Sequence, residues 1–214
     1  EPMVAASAKG GIRSNGIIQS VGSDGDNAAA TGNISNGSLT CYAASNVNSS
    51  QVARSNASAN GITQTVTSNV GATSSASASI TSTTAIDVTA IASAEGTGAQ
   101  SNANAQGVQQ MASAAGAADA AFNSGGALNV MASADADSQN NQADANANAE
   151  GVGQSVITAS GNASGTISSS GNVQVTANAS AVSDTSTANA LADASGFDQD
   201  VTTTSGNATA LITN

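Results

Sequence analysis

The 214-residue chain carries 14 acidic and three basic residues, no histidine, one cysteine and 1% aromatic residues. Without histidine it has no His-based acid–base catalysis and no His metal site, and one cysteine makes neither a cysteine zinc site nor an internal disulfide. Its 39% hydrophobic fraction is mostly alanine. At roughly 25 cal/mol per Å² of buried apolar area, that composition excludes a thick, aromatic-rich core. Order has to come instead from backbone ladders of stacked β-strands with small side chains in thin layers.

The net charge of −11 is uneven. Lys9, Arg13 and Arg54 balance Glu1, Asp24 and Asp26, and every other carboxylate lies beyond them, with no base. Such a surface repels nucleic acid and anionic lipid, so neither is an expected partner. No stretch reaches about 18 consecutive apolar residues, so no membrane-spanning helix is expected. A chain starting at Glu1 fits a mature form after signal removal, and scarce Lys and Arg leave few sites for trypsin-like proteases. These features set the expectation of a secreted, extracellular, non-enzymatic protein without cofactors.

In chain order, one pattern returns five times. It is Gly16-Ile17-Ile18-Gln19-Ser20-Val21, then Gly61-Ile62-Thr63-Gln64-Thr65-Val66, then Gly107-Val108-Gln109-Gln110-Met111-Ala112. It continues as Gly151-Val152-Gly153-Gln154-Ser155-Val156 and Gly196-Phe197-Asp198-Gln199-Asp200-Val201. The glycines are spaced by 45, 46, 44 and 45 residues. Alanines precede four of them by four and two positions, at Ala57/Ala59, Ala103/Ala105, Ala147/Ala149 and Ala192/Ala194. Downstream, Ile80, Phe122 and Ile167 are equivalent, and each is followed by an apolar pair, Ile86/Val88, Leu128/Val130 or Val173/Val175. The first repeat is looser, with Ile34, Leu39 and Cys41 in this region, and the fifth stops at Asn214.

Within each repeat the apolar period is two, which predicts β-strands with one face inward. Alanine favours helix, but the many Ser, Thr, Asn and Gly residues and the alternation oppose it. The glycine changes the phase: alanines before it have one parity, and the apolar residues and glutamine after it have the other. A bend or bulge at Gly16, Gly61, Gly107, Gly151 and Gly196 would return both sets to one interior. Second turns are expected near Gly71, Gly116, Gly161 and Gly206, giving about four short strands per repeat. The chain therefore reads as all-β, one repetitive domain over 1–214, either a β-solenoid-like stack of short strands or an elongated antiparallel meander or sandwich. In a solenoid, Gln19, Gln64, Gln110, Gln154 and Gln199 would stack into an amide ladder.

Two runs carry family resemblances. Gln19 to Ala28 (Gln-x-x-Gly-x-x-Gly-x-Asn-Ala) is similar to the spacing of curlin repeats, and Gly126–Ala132 with Asn140–Ala147 resembles the repeats of Fap-type functional-amyloid subunits. Holdfast-anchor proteins have similar Ala/Ser/Asn/Gly-rich strings. These resemblances imply an extracellular fibre or an attachment to surfaces.

Other chemistry is sparse. No P-loop or Rossmann pattern occurs. Asp24-Gly25-Asp26-Asn27 and Asp135-Ala136-Asp137 have the spacing of partial calcium loops without the later bidentate Glu, so no metal is expected. Cys41 reads as a small buried residue. Asn33, Asn36, Asn48, Asn56, Asn162, Asn178 and Asn207 head glycosylation sequons. The leading expectation is a fibre subunit whose partner is itself, with a cell surface or matrix as a further contact. Its last segment, Ala208–Asn214, would pair with the first repeat or residues 1–12 of the next copy. The alternatives are a monomeric ice- or surface-binding solenoid, which needs flat threonine ranks, and an adhesin stalk.

Overall fold

The structure, a computed structural model, describes residues 7–23, 27–35, 37–68 and 73–214. The chain winds as a β-solenoid. Its first coil contains β1 (Ser7–Ser23), β2 (Asn27–Ile34) and β3 (Leu39–Asn48). The second contains β4 (Val52–Ser68), β5 (Ser75–Ser82) and β6 (Ile86–Gly96), and the third β7 (Gly98–Ala114), β8 (Ala117–Ser124) and β9 (Leu128–Ser138). The fourth contains β10 (Ala143–Thr158), β11 (Ala163–Ser169) and β12 (Val173–Ser183), and the fifth β13 (Ala188–Thr203) and β14 (Ala208–Thr213).

Stacking the coils gives three sheets. Sheet A has the order β1-β4-β7-β10-β13, sheet B β2-β5-β8-β11-β14 and sheet C β3-β6-β9-β12. Every pairing is parallel, which excludes the antiparallel meander or sandwich. The ladders join residues one repeat apart, as in Gln19↔Gln64, Gln64↔Gln110, Gln110↔Gln154 and Gln154↔Gln199. Parallel strands need a long crossover, and here the rest of each coil supplies it.

Of the bend or bulge expected at the glycine, the structure shows the bulge, inside one continuous strand, so a coil has three strands where the sequence suggests about four. In β4 the burial alternates up to Gly61, Gly61 and Ile62 are buried in succession, and alternation resumes with Gln64, Val66 and Ser68 inward. Neighbouring strands carry the same bulge at the same place, and their ladders resume on both sides of it. The largest length differences between coils fall in the connections from sheet A to sheet B, such as 115–116 against 159–162 and 204–207, with smaller ones from sheet C to sheet A, where Thr97 alone stands against 139–142. Of the second turn glycines, Gly116, Gly161 and Gly206 lie in these connections, Gly161 and Gly206 with φ of 100° and 132°, while Gly71 lies outside the described residues.

Two thin cores run along the axis. The first half of sheet A faces sheet C through Ala53, Ala57, Ala90, Ala92, Ala103 and their equivalents, and widens around Ile80, Phe122, Ile167, Ile86 and Leu128. The second half of sheet A faces sheet B through Val66, Ala76, Ala78, Ala120 and Val156. Inward serines at the strand ends hold the corners. Ser82 and Ser124 Oγ donate to the carbonyls of Thr84 and Gly126 at 2.8 and 2.9 Å, and Ser138 Oγ donates to that of Asn141 at 2.6 Å.

Candidate functional site

The glutamines of the repeated pattern point inward from the second half of sheet A. Gln64 Nε2 donates to Gln19 Oε1 at 2.7 Å, Gln110 to Gln64 at 3.0 Å, Gln154 to Gln110 at 2.8 Å and Gln199 to Gln154 at 2.8 Å. The second amide hydrogen crosses the core to sheet B. Gln19, Gln64, Gln110 and Gln154 donate to the carbonyls of Thr31, Ser79, Ala121 and Thr166 at 3.3, 3.0, 3.0 and 2.9 Å. Each interior amide thus uses both hydrogens and its oxygen, which is how an uncharged polar group is buried without penalty. The ladder has a direction: each glutamine donates to the one in the preceding coil.

Beside it runs the column of Gly16, Gly61, Gly107, Gly151 and Gly196. A Cβ on any of the first four would run into the carbonyl oxygen of the glycine in the following coil. It would also meet a side chain of sheet C: Cys41 Sγ at 2.7 Å from Gly16, Val88 Cγ2 at 2.9 Å from Gly61, Val130 Cγ2 at 2.9 Å from Gly107 and Val175 Cγ2 at 3.0 Å from Gly151. Around Gly196 there is nothing within 4 Å. Cys41 is a buried free thiol standing where later coils have valine, and burial pushes its pKa up.

The outer face of sheet A carries rows of amides that bond from coil to coil. Asn60 donates to Asn15 and Asn102 to Asn56, both at 3.0 Å. The Asn56–Asn102 row borders a groove of about 800 Å³ that is also lined by Lys9, Arg13, Asn104 and Asn148. Further along the same face, Asp144 accepts hydrogen bonds from Asn189 at 3.0 Å and Gln142 at 2.7 Å. These donors, Asn189 foremost, hold the Asp144 carboxyl below the usual range.

Of the sequon asparagines, Asn33, Asn48 and Asn178 are exposed on strands, and Asn162 and Asn207 are exposed in connections. Asn56 is half-buried in β4, and Asn36 lies outside the described residues. So do Asp24, Gly25 and Asp26, whereas Asp135 and Asp137 project outward from strand β9 rather than lining a loop. Among the described residues no group of three or more Cys, Asp or Glu is placed to hold a metal ion, and no helix is long and apolar enough to cross a membrane.

The remaining candidate surfaces are the two end faces. One is formed by β1, β2 and β3, the other by β13 and β14 with β12 beside them. Ile12, at an inward position of β1, is 48% exposed, and Ile212, which continues the buried Ile80–Phe122–Ile167 column, is 46% exposed. Sequence reasoning missed the inward serines and the Asp144–Asn189 contact. The first hide within a Ser/Ala alternation, and the second needs the register. No protein-family model, curated protein or solved structure matches the chain.

Proposed function

We propose that the chain is a structural subunit of an extracellular filament, of the biofilm or adhesive kind, in which coil-on-coil stacking continues from one copy to the next. The observation that carries this reading is the uniform register. On every sheet each coil is laid on the one before it with equivalent residues paired, so any coil is a template for another. The end faces present strand ladders with one side unpaired among the described residues, and such edges pair readily with another chain. Stacking one end on the other is a heterologous, non-closing contact, which propagates into a fibre. The acidic outer surface keeps neighbouring fibres apart and favours growth along the axis over lateral clumping. An extracellular setting and the curlin-like and Fap-like strings agree with this reading.

An ice-binding face is not favoured. The register sets Thr63 beside Gln109, which is followed by Gly153, and Thr89 beside Met131, so threonine ranks are interrupted. The test is negative-stain electron microscopy of the purified chain at near-neutral pH over a range of concentrations. Uniform unbranched filaments one solenoid wide are expected. Short rods that stay monodisperse at every concentration would refute the proposal.

A further inference from the structure

The repeated register says more than that the coils stack; it specifies how one copy would meet another. Resting on the filament reading above, we infer that the β13–β14 face of one copy receives the β1–β2 face of a second copy in the internal register, Gln199 beside Gln19 and Asp193 beside Arg13.

Three independent features converge on this joint. The first is the glycine column. Gly16, Gly61, Gly107 and Gly151 each need glycine because the next coil's carbonyl occupies the space of a Cβ, whereas Gly196 has open space there. The chain keeps glycine at a position where nothing in the described structure demands it. A second copy in the same register supplies the missing neighbour, the carbonyl oxygen of its Gly16.

The second is the direction of the amide ladder. Gln199 donates to Gln154, and among the described residues no donor reaches its own Oε1. At the other end Gln19 accepts from Gln64 and gives one hydrogen to the Thr31 carbonyl at 3.3 Å, and among the described residues no acceptor takes the second hydrogen, which is free for a preceding coil. An acceptor is open at one end and a donor at the other. Joined head to tail they continue the ladder, while two like ends would set donor against donor or acceptor against acceptor.

The third is charge. Following the ladder Arg13–Ser58–Asn104–Asn148–Asp193 one coil further returns to Arg13. The same extension puts Lys9 beside Asn189, and Gly32, the smallest member of its column, beside the exposed Ile212. Basic residues Lys9 and Arg13 lie on the outer face of the first coil, and Asp193, Asp198 and Asp200 on that of the fifth. Opposite charges at matched register favour this docking over the two like-end dockings.

The test uses the whole chain with Cys41→Ala, so that only introduced thiols react. Arg13→Cys combined with Asp193→Cys places two thiols on neighbouring strands within disulfide reach. Mild oxidation is expected to yield a ladder of covalent multimers. Arg13→Cys with Asp198→Cys, five residues out of register, is expected to give none. Filaments by microscopy without in-register cross-links, or with the offset pair linking equally, would overturn the joint and leave the filament reading standing; absence of filaments under all conditions would overturn both. Gly196→Val gives a second readout. Its side chain enters open space in the isolated chain, so circular dichroism is expected to match the parent. Its β13 face cannot accept another copy while its β1 face still can, so a few per cent added to parent chains is expected to shorten the filaments. Unchanged filament lengths would count against the joint.

Discussion

Gln110 shows what a single side chain contributes at the residue scale. It donates to Gln64 and to the Ala121 carbonyl and accepts from Gln154, all inside the core. Gln110→Leu would strip partners from several buried groups at once, at about 1–3 kcal/mol for each group left unsatisfied. Gln199→Leu, at the last rung, removes one donor only. Urea unfolding is therefore expected at a clearly lower midpoint for Gln110→Leu than for Gln199→Leu, and coincident midpoints would contradict the buried-ladder account. Phe122 is the largest fully buried side chain, filling the place that isoleucine takes in the coils on either side. Phe122→Ala is expected to cost about 3–5 kcal/mol, measured the same way. At Cys41, burial disfavours the thiolate, the reactive form. Thiol reagents at neutral pH are expected to label it only on unfolding, and rapid labelling of the folded chain would show that this corner opens.

At the scale of the element, the long strand of sheet A matters most. Its glycine bulge lets one strand line two compartments, alanines against sheet C and then glutamine and valine against sheet B. Gly107→Ala would drive a methyl into the Gly151 carbonyl and Val130, both held by neighbouring strands. Such overpacking costs about 1–3 kcal/mol or more, and the two halves of β7 should lose amide exchange protection together. The β10–β13 pair adds a pH dependence. Asp144 has its pKa lowered in the folded state by the amides of Asn189, Gln142 and Gln100. A lowered carboxyl pKa stabilises the fold above the ordinary aspartate value of about 3.9, and the contribution is lost as pH falls through the lowered value. Below about pH 4, exchange protection at the start of β13 is expected to weaken, and Asp144→Asn to flatten that response. An unchanged profile would remove Asp144 from the account.

For the whole molecule, the proposed filament predicts fibre diffraction with a meridional spacing near 4.8 Å, the separation of neighbouring strands along the hydrogen bonds. It also predicts slower filament growth as salt is raised from about 0.05 M towards 1 M, where screening shortens the reach of Arg13 and Asp193. Acceleration by salt would mean that repulsion between acidic surfaces governs assembly instead. Much of this architecture is legible in the sequence, because a solenoid writes its axial contacts as a period. The five glycines and glutamines give the coil length, and the parity change at each glycine implies a bend or bulge there. The three-strand coil was not legible: a bulge and a turn leave the same mark on alternation, and only the ladders crossing Gly61 tell them apart. Nor does a run such as Ser75-Ala76-Ser77-Ala78 reveal which sheet its alanines will face.

One consequence of the parallel register is mechanical. The inter-coil hydrogen bonds of all three sheets point along the axis, so a pull between the ends loads the bonds of each interface together instead of opening them one at a time. The interfaces themselves are in series, and the weakest of them sets the tension at which the stack of coils gives way. Within the described chain, that weak point belongs where the sheets are fewest: β13 and β14 hold the fifth coil through two sheets, while the second, third and fourth coils are joined through three.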